Sequence, residues 1–275
     1  MTGAQSTDII NHLKEVGADM FSELAKLSQT AGARPDFIQG GGGNTSVKLP
    51  DGLMAIKASG FRLSQVTETD GFAVVETDTL KDVTAERGYK PLRPSVEAGF
   101  HALLGRFVLH THPVYCNLAL CSQNGAERLP GLMSGYSFIV VPYINPGAEL
   151  CAVIKEKKTP DTQVVFLQNH GMIVTADTAD ECLRIHEDVN ERIGASYGVT
   201  RADFEAFSEQ LNKILYPDQQ VYMDLTDTQR EVMAAVMFIQ FTLMKQGQTA
   251  RAMDQTALNF ISGWEGEAYR KSILR

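Results

Sequence analysis

The run Phe-Val-Leu-His-Thr-His-Pro at 107–113 places His110 and His112 one residue apart in a segment that reads as a β-strand. A strand turns successive side chains to opposite faces, so these two imidazoles point the same way, close enough for one metal ion to bridge. A third histidine, His170, lies in Phe-Leu-Gln-Asn-His-Gly-Met-Ile-Val (166–174), at the bend between two apolar runs. Three His ligands with an open fourth position describe a catalytic zinc-type site, whereas a structural site is normally closed and rich in sulfur. A His-x-His pair alone also arises by chance in core or surface strands, so the surrounding motifs must carry weight. Glu97, in Pro-Ser-Val-Glu (94–97), is the carboxylate just upstream of the pair. In the first turn of a helix it complements the helix dipole. As a reacting group it would be a general base, or a metal ligand that exchanges with substrate.

Anion-binding chemistry is the second theme. Gly-Gly-Gly-Gly-Asn-Thr-Ser (40–46) combines backbone amides with short polar side chains, a composition that can cradle an anion or simply form a flexible turn. No register supplies the third glycine of G-x-G-x-x-G, and no Gly-Lys-Ser/Thr follows, so it is neither a dinucleotide fingerprint nor a P-loop. Ala58-Ser59-Gly60 ends a strand, and Pro94-Ser95 starts a helix. Three small-residue turns at element ends can converge on one phosphate. His101 faces the same way as Glu97, one helical turn on, and reads as a supporting or packing residue. His186 shares an apolar stripe with Cys182, Val189, Ile193 and Tyr197 and reads as core. His12 reads as an exposed helix residue without a role.

The elements that must hold these residues follow from periodicity. Ile9, Leu13, Val16, Met20, Leu24 and Leu27 mark an amphipathic helix over 8–29. Strands are expected at 45–49, 53–58, 72–76, 107–112, 138–143 and within 163–175, with Asp51-Gly52 as a hairpin turn. Helices are expected near 95–104 and 178–197, the second opened by the box Thr178-x-x-Glu181. A further box, Thr228-x-x-Glu231, predicts a helix to about 245, after a polar connection at 198–227 broken by Pro217. Helix, hairpin strands, helix, strands and helix in that order predict an α/β sandwich on a largely antiparallel sheet rather than a doubly wound parallel one.

Composition narrows the partners. A net charge of −8 and a pI of about 5.3 disfavour nucleic acid and anionic membranes, yet leave room for a phosphorylated metabolite at a local site. The polar N-terminus shows no secretory pattern, and Val232–Met244 is too short to span a bilayer. Four cysteines without C-x-x-C spacing predict a reducing, cytoplasmic setting.

Taken together, Gly43-Asn44-Thr45-Ser46, Ala58-Ser59-Gly60, Pro94-Ser95-Val96-Glu97, His110-Thr111-His112 and Gln168-Asn169-His170-Gly171 resemble, in order and spacing, the class II aldolase/adducin family. The resemblance spans roughly residues 8 to 200. It takes in fuculose- and rhamnulose-phosphate aldolases and ribulose-phosphate 4-epimerases. The four glycines and Ile-Lys-Ala-Ser-Gly look most like the aldolase half of bifunctional rhamnulose-phosphate aldolase/dehydrogenase proteins. It implies a three-layer α/β sandwich, a metal held by His110, His112 and His170 (zinc, or another divalent ion such as manganese or cobalt), and Glu97 as the acid/base. It implies phosphate contacts at Asn44, Ser59, Gly60 and Ser95, and a homotetramer. Val96 stands where family aldolases often carry a second serine. Their catalytic tyrosine comes from a neighbouring subunit, and Tyr136 is the nearest counterpart.

The expected function is a metal-dependent aldolase that cleaves a phosphorylated ketose to dihydroxyacetone phosphate and an aldehyde through an ene-diolate. The alternatives are a sugar-phosphate 4-epimerase, dehydratase or decarboxylase on the same site, or a non-catalytic adducin-like binding module. Residues 1–225 are expected to form the catalytic domain, and 226–275 a helical extension packed on it or on a neighbouring subunit. The helix at 231–245 is apolar on nearly every face, so one face needs cover from the tail around Trp264 or from a second subunit.

Overall fold

The computed structural model of the protein describes residues 19–264. The expected first helix is described from residue 19 and runs to 32 (α1); residues 8–18, with His12, lie outside the described residues. Seven strands follow: β1 (Asn44–Leu49), β2 (Leu53–Lys57), β3 (Phe72–Glu76), β4 (Phe107–Thr111), β5 (Phe138–Val141), β6 (Val164–Leu167) and β7 (Gly171–Ala176). They form one sheet in the order β3-β2-β1-β4-β7-β6-β5, antiparallel throughout except for the parallel pair β5–β6. Asp51 and Gly52 both adopt positive φ (60° and 69°), the backbone of a two-residue hairpin turn that matches strand twist.

Helices cover both faces, which gives the three layers. Period-2 alternation sorts the sheet residues. Val47, Ala55, Leu109, Val174 and Phe166 face a core with α1, α3 (Val114–Leu120), α6 (Ala179–Ser196) and α9 (Asp227–Lys245). Val108, Val165 and Ile173 face a second layer, which includes α2 (Ala98–Leu103) and α5 (Ala148–Lys157). The same alternation puts His110 on the α2 side. It sends Thr111 the other way, where its hydroxyl meets buried His186 of α6.

Three expectations change. The stretch 198–227 is not a plain connection but carries α7 (Arg201–Leu211) and α8 (Pro217–Tyr222). A capping box at Thr200 and Asp203 starts α7, and Phe204 and Phe207 pack on Phe238 of α9 with centroids 5.3 and 5.4 Å apart. Pro217 opens α8 rather than breaking structure, since a first-turn proline has no N–H to lose. Secondly, the capping box of α9 lies two residues earlier than expected: Thr226 caps the helix, with Gln229 returning the bond. Thr228 and Glu231 are thereby freed for tertiary ties, to Arg62 and to the backbone of Gly40. Thirdly, α3, α5, the one-turn α4 (Leu129–Leu132) and α10 (Gln255–Gly263) were not anticipated.

The inner face of α9, with Ala234, Ala235, Phe238, Ile239 and Leu243, belongs to the main core. Burial of Phe238 alone contributes about 1.5–3 kcal/mol to that packing. Its outer face, Val232, Val236, Met237, Phe241 and Met244, is exposed.

Candidate active site

Asn44 and Ser46 stand on the α2 side of β1, and Asn44 lies opposite His110 in the β1–β4 register. His101 of α2, fully buried, bonds both of them. An amide oxygen only accepts, so His101 Nε2–H donates to Asn44 Oδ1, and Nδ1 accepts from the Ser46 hydroxyl at 2.7 Å. Burial, reinforced by the nearby lysines Lys48 and Lys57, holds the His101 pKa well below its ordinary value. The neutral ring has one donor and one acceptor, which this pair of partners uses in full. With its oxygen held, the Asn44 amide aims Nδ2 at Ser95 Oγ (3.1 Å) and at Glu97 Oε2 (2.7 Å).

The Glu97 carboxylate lies between two of the histidines. Oε2 is 3.6 Å from His110 Nε2, and Oε1 is 3.5 Å from His170 Nε2. Ligand atoms of His110, His112 and His170 all lie within 4.8 Å of one another. His110 Nδ1–H donates to the Met172 carbonyl at 3.1 Å, which leaves Nε2 as the lone-pair nitrogen facing the cluster. That nitrogen is buried with no hydrogen-bond partner, and a metal ion would satisfy it. Three imidazoles and an exchangeable carboxylate, with no thiolate, fit a divalent cation with an open position.

The cluster opens on a cavity of about 280 Å³. Asn44, Ser59, Gly60 and Ser95 line it together with Glu97, His112 and His170, while His110 is fully buried behind its wall. Two of the small-residue turns are locked side by side: Ser59 N–H donates to the Arg93 carbonyl at 2.8 Å, and Ala58 bridges Pro94. The glycine loop presses on the histidine strand. Gly43 has φ +62°, and a Cβ there would lie 2.5 Å from the His110 carbonyl.

Tyr136 is not brought to this cavity within one chain. Its phenol bonds Asp188 of α6, and the Arg192 guanidinium lies 5.1 Å over its ring. Tyr143, two residues beyond β5, is the tyrosine that lines the cavity among the described residues; burial pushes its phenol above the usual pKa. Lys57 also lines it, with Nζ donating to the Phe61 carbonyl at 2.6 Å. The sequence held one signal for Lys57, a lysine inside an otherwise apolar strand. No motif pointed to the C-terminal contributors, Met253, Leu258, Ile261 and Trp264. They reach the site because the chain after α9 is tied to the turn that carries His170. Asn169 Nδ2 donates to the Arg251 carbonyl (2.6 Å), Arg251 N–H donates to the Cys121 carbonyl (2.6 Å), and Ala250 bridges Ser122.

Residues 22–195 match the family described as Class II Aldolase and Adducin N-terminal domain. Among curated proteins, the chain is 27% identical over 188 residues to the uncharacterized oxidoreductase YuxG of Bacillus subtilis (58% of this chain, 27% of that protein). It is 30% identical over 175 residues to a fluorothreonine transaldolase of Streptantibioticus cattleyicolor (62% and 24%). The match thus spans about a quarter of the length of these two relatives. A 3-oxo-tetronate 4-phosphate decarboxylase of Escherichia coli is 25% identical over 192 residues (64% and 85%). Among solved structures, the N-terminal class II aldolase domain of a Thermoplasma acidophilum protein aligns with a TM-score of 0.55 at 24% identity (63% and 91%). An L-fuculose 1-phosphate aldolase aligns at 0.51 and 20% identity (80% and 96%). Both support the fold.

Proposed function

Because this chain belongs to the class II aldolase and adducin family, we propose that it is a metal-dependent carbon–carbon lyase that splits a phosphorylated ketose into dihydroxyacetone phosphate and an aldehyde. The observation that carries this reading is the placement of Glu97, held by Asn44 at 2.7 Å and set between His110 and His170. A divalent cation held by His110, His112 and His170, zinc on the nature of the donors, would polarise the ketone and stabilise the negative charge that cleavage leaves. Glu97 returns a proton to the carbon from which the aldehyde departs. Asn44, Ser59, Gly60 and Ser95 hold the phosphate, and Lys57 brings a cation to the same wall. Tyr136 of a second copy donates to the aldehyde oxygen, with Tyr143 as the alternative within the chain. The exposed face of α9 supports a homo-oligomer, a tetramer on the family resemblance. All four cysteines are free, which supports a cytoplasmic setting.

A second reading, decarboxylation of a phosphorylated keto acid, draws on the relative of that name, most of whose length is matched. A screen of phosphorylated ketoses for dihydroxyacetone phosphate, run beside an assay for carbon dioxide from phosphorylated keto acids, separates the two. Ketone phosphate release that a chelator abolishes is the expected result. Carbon dioxide without it would move the chain to the decarboxylases, and neither product would reject catalysis of both kinds.

A further inference from the structure

Four consecutive glycines, Gly40 to Gly43, lead into Asn44, and Gly41 and Gly43 line the cavity. Left free, such a run samples more backbone states than any other sequence, and an anion that orders it loses affinity to that entropy. The run is held from two sides. Towards β4, a Cβ on Gly42 would lie 3.0 Å from His112 Nδ1. Towards α9, Gly40 has φ +57°, and a Cβ there would lie 2.6 Å from Thr228 Cγ2. The Gly40 N–H donates to Glu231 Oε2 at 2.6 Å. The same carboxylate accepts from Arg62 Nη1, at 2.9 Å to Oε1 and 3.1 Å to Oε2. Arg62 Nη2 donates to the Thr228 hydroxyl at 2.8 Å. Arg62 follows closely on Ser59-Gly60, so one carboxylate ties the glycine loop to the next small-residue turn. Glu231 and Thr228 both lie outside the residues 22–195 that match the family.

We propose that Glu231 is a positioning residue for the phosphate site: from a helix outside the family domain it fixes the glycine loop against the Ser59-Gly60 turn, so that the cradle is formed before the anion arrives. The proposal rests on the phosphate reading of those turns. The Arg62 guanidinium forks onto Glu231 and Thr228 together, a planar arrangement that sets direction as well as distance. The loop it steadies has no side chains with which to fix its own shape. Without the bond to Glu231, ordering a glycine falls to the ligand and lowers affinity by roughly tenfold. Charge acts in the opposite sense. Deleting a carboxylate near an anion site favours the anion on Coulomb grounds. Weaker binding in its absence therefore reports position and not charge.

The test titrates the full, metal-loaded chain with inorganic phosphate in a calorimeter. Glu231→Ala should bind phosphate roughly tenfold more weakly than wild type, with its metal content unchanged by elemental analysis. Glu231→Gln loses the charge, but its single oxygen at the Oε2 position still reaches Gly40 N–H and Arg62 Nη1, so it should recover most of the loss. Glu231→Asp keeps the charge on a side chain too short to span both partners and should weaken binding as alanine does. It replaces Glu231→Ala if circular dichroism shows that the alanine variant does not fold. Asn44→Asp places a negative charge at the turns and should abolish the binding, which locates the phosphate there. Wild-type or tighter binding in Glu231→Ala or Glu231→Asp overturns the proposal while the phosphate reading stands. So does Glu231→Gln binding as weakly as Glu231→Ala, since the loss would then not follow the bond to Gly40, and so does loss of metal in Glu231→Ala. No binding by wild type, or unchanged binding in Asn44→Asp, overturns the phosphate reading itself and the role of Glu231 with it.

Discussion

Replacing Asn44 by Asp probes the network beneath the histidines without needing a substrate. Asn44 is 3% exposed, and its Nδ2 donates to Glu97 Oε2 at 2.7 Å. Aspartate has no donor to offer there. Loss of a hydrogen bond to a charged group removes about 1.5–3 kcal/mol. Two ionised carboxylates about 4 Å apart would repel by a further ~4 kcal/mol at an effective dielectric constant of about 20. The fold can relieve that repulsion by capturing one proton, which lifts one carboxyl of the pair by up to about 3 pH units above its unfolded value. The folded variant then binds more protons than the unfolded chain. Its stability is therefore complete at low pH and falls as pH rises through the lifted pKa, over roughly pH 4 to 7. The assay is urea unfolding of wild type, Asn44→Asp and Asn44→Ala at pH 5 and pH 8, with chelator present so that no cation shields the pair. The deficit of Asn44→Asp should be larger at pH 8 than at pH 5 by about 2 kcal/mol or more. Asn44→Ala, with no second carboxylate, should show a smaller change. Equal pH dependence in Asn44→Asp and wild type would refute the Asn44–Glu97 contact on which the site geometry depends.

His112→Ala should remove most of the bound divalent metal, and full occupancy by elemental analysis would discard the three-histidine ligand set. Glu97→Gln should keep the metal but lose roughly a hundredfold or more in turnover, because an amide neither takes nor gives a proton; near-normal turnover would remove Glu97 from the proton-transfer role. Light scattering at micromolar concentration should report a tetramer, whereas a mass near the 30.2 kDa of one chain would reject both the assembly and a tyrosine shared between subunits.

The three histidines, Glu97 and the small-residue turns were legible in the sequence because their signals are local. Alternation along β4, continued by one residue past its end, turns His110 and His112 one way, and the Gln-Asn-His-Gly turn delivers His170 whatever lies far off in the chain. The mostly antiparallel sheet followed for the same reason, since hairpin turns and strand periods are short-range properties. Tertiary structure decided the rest. His101 read only as a supporting or packing residue, and its bonds to Asn44 and Ser46 exist because α2 crosses β1 at that register. Thr228 and Glu231 carried a local capping pattern that lost to Thr226 and Gln229, and their side chains instead meet Arg62 and Gly40, far away in sequence. Tyr136 stands near the right place along the chain, yet packing on α6 keeps it from its own cavity, and Tyr143 lines it instead. The C-terminal lining of the cavity had no motif at all. Leu258, Ile261 and Trp264 reach the cavity because the Asn169 side-chain amide holds the Arg251 carbonyl and the Arg251 N–H holds the Cys121 carbonyl, and a local sequence pattern does not encode where such bonds bring distant segments together.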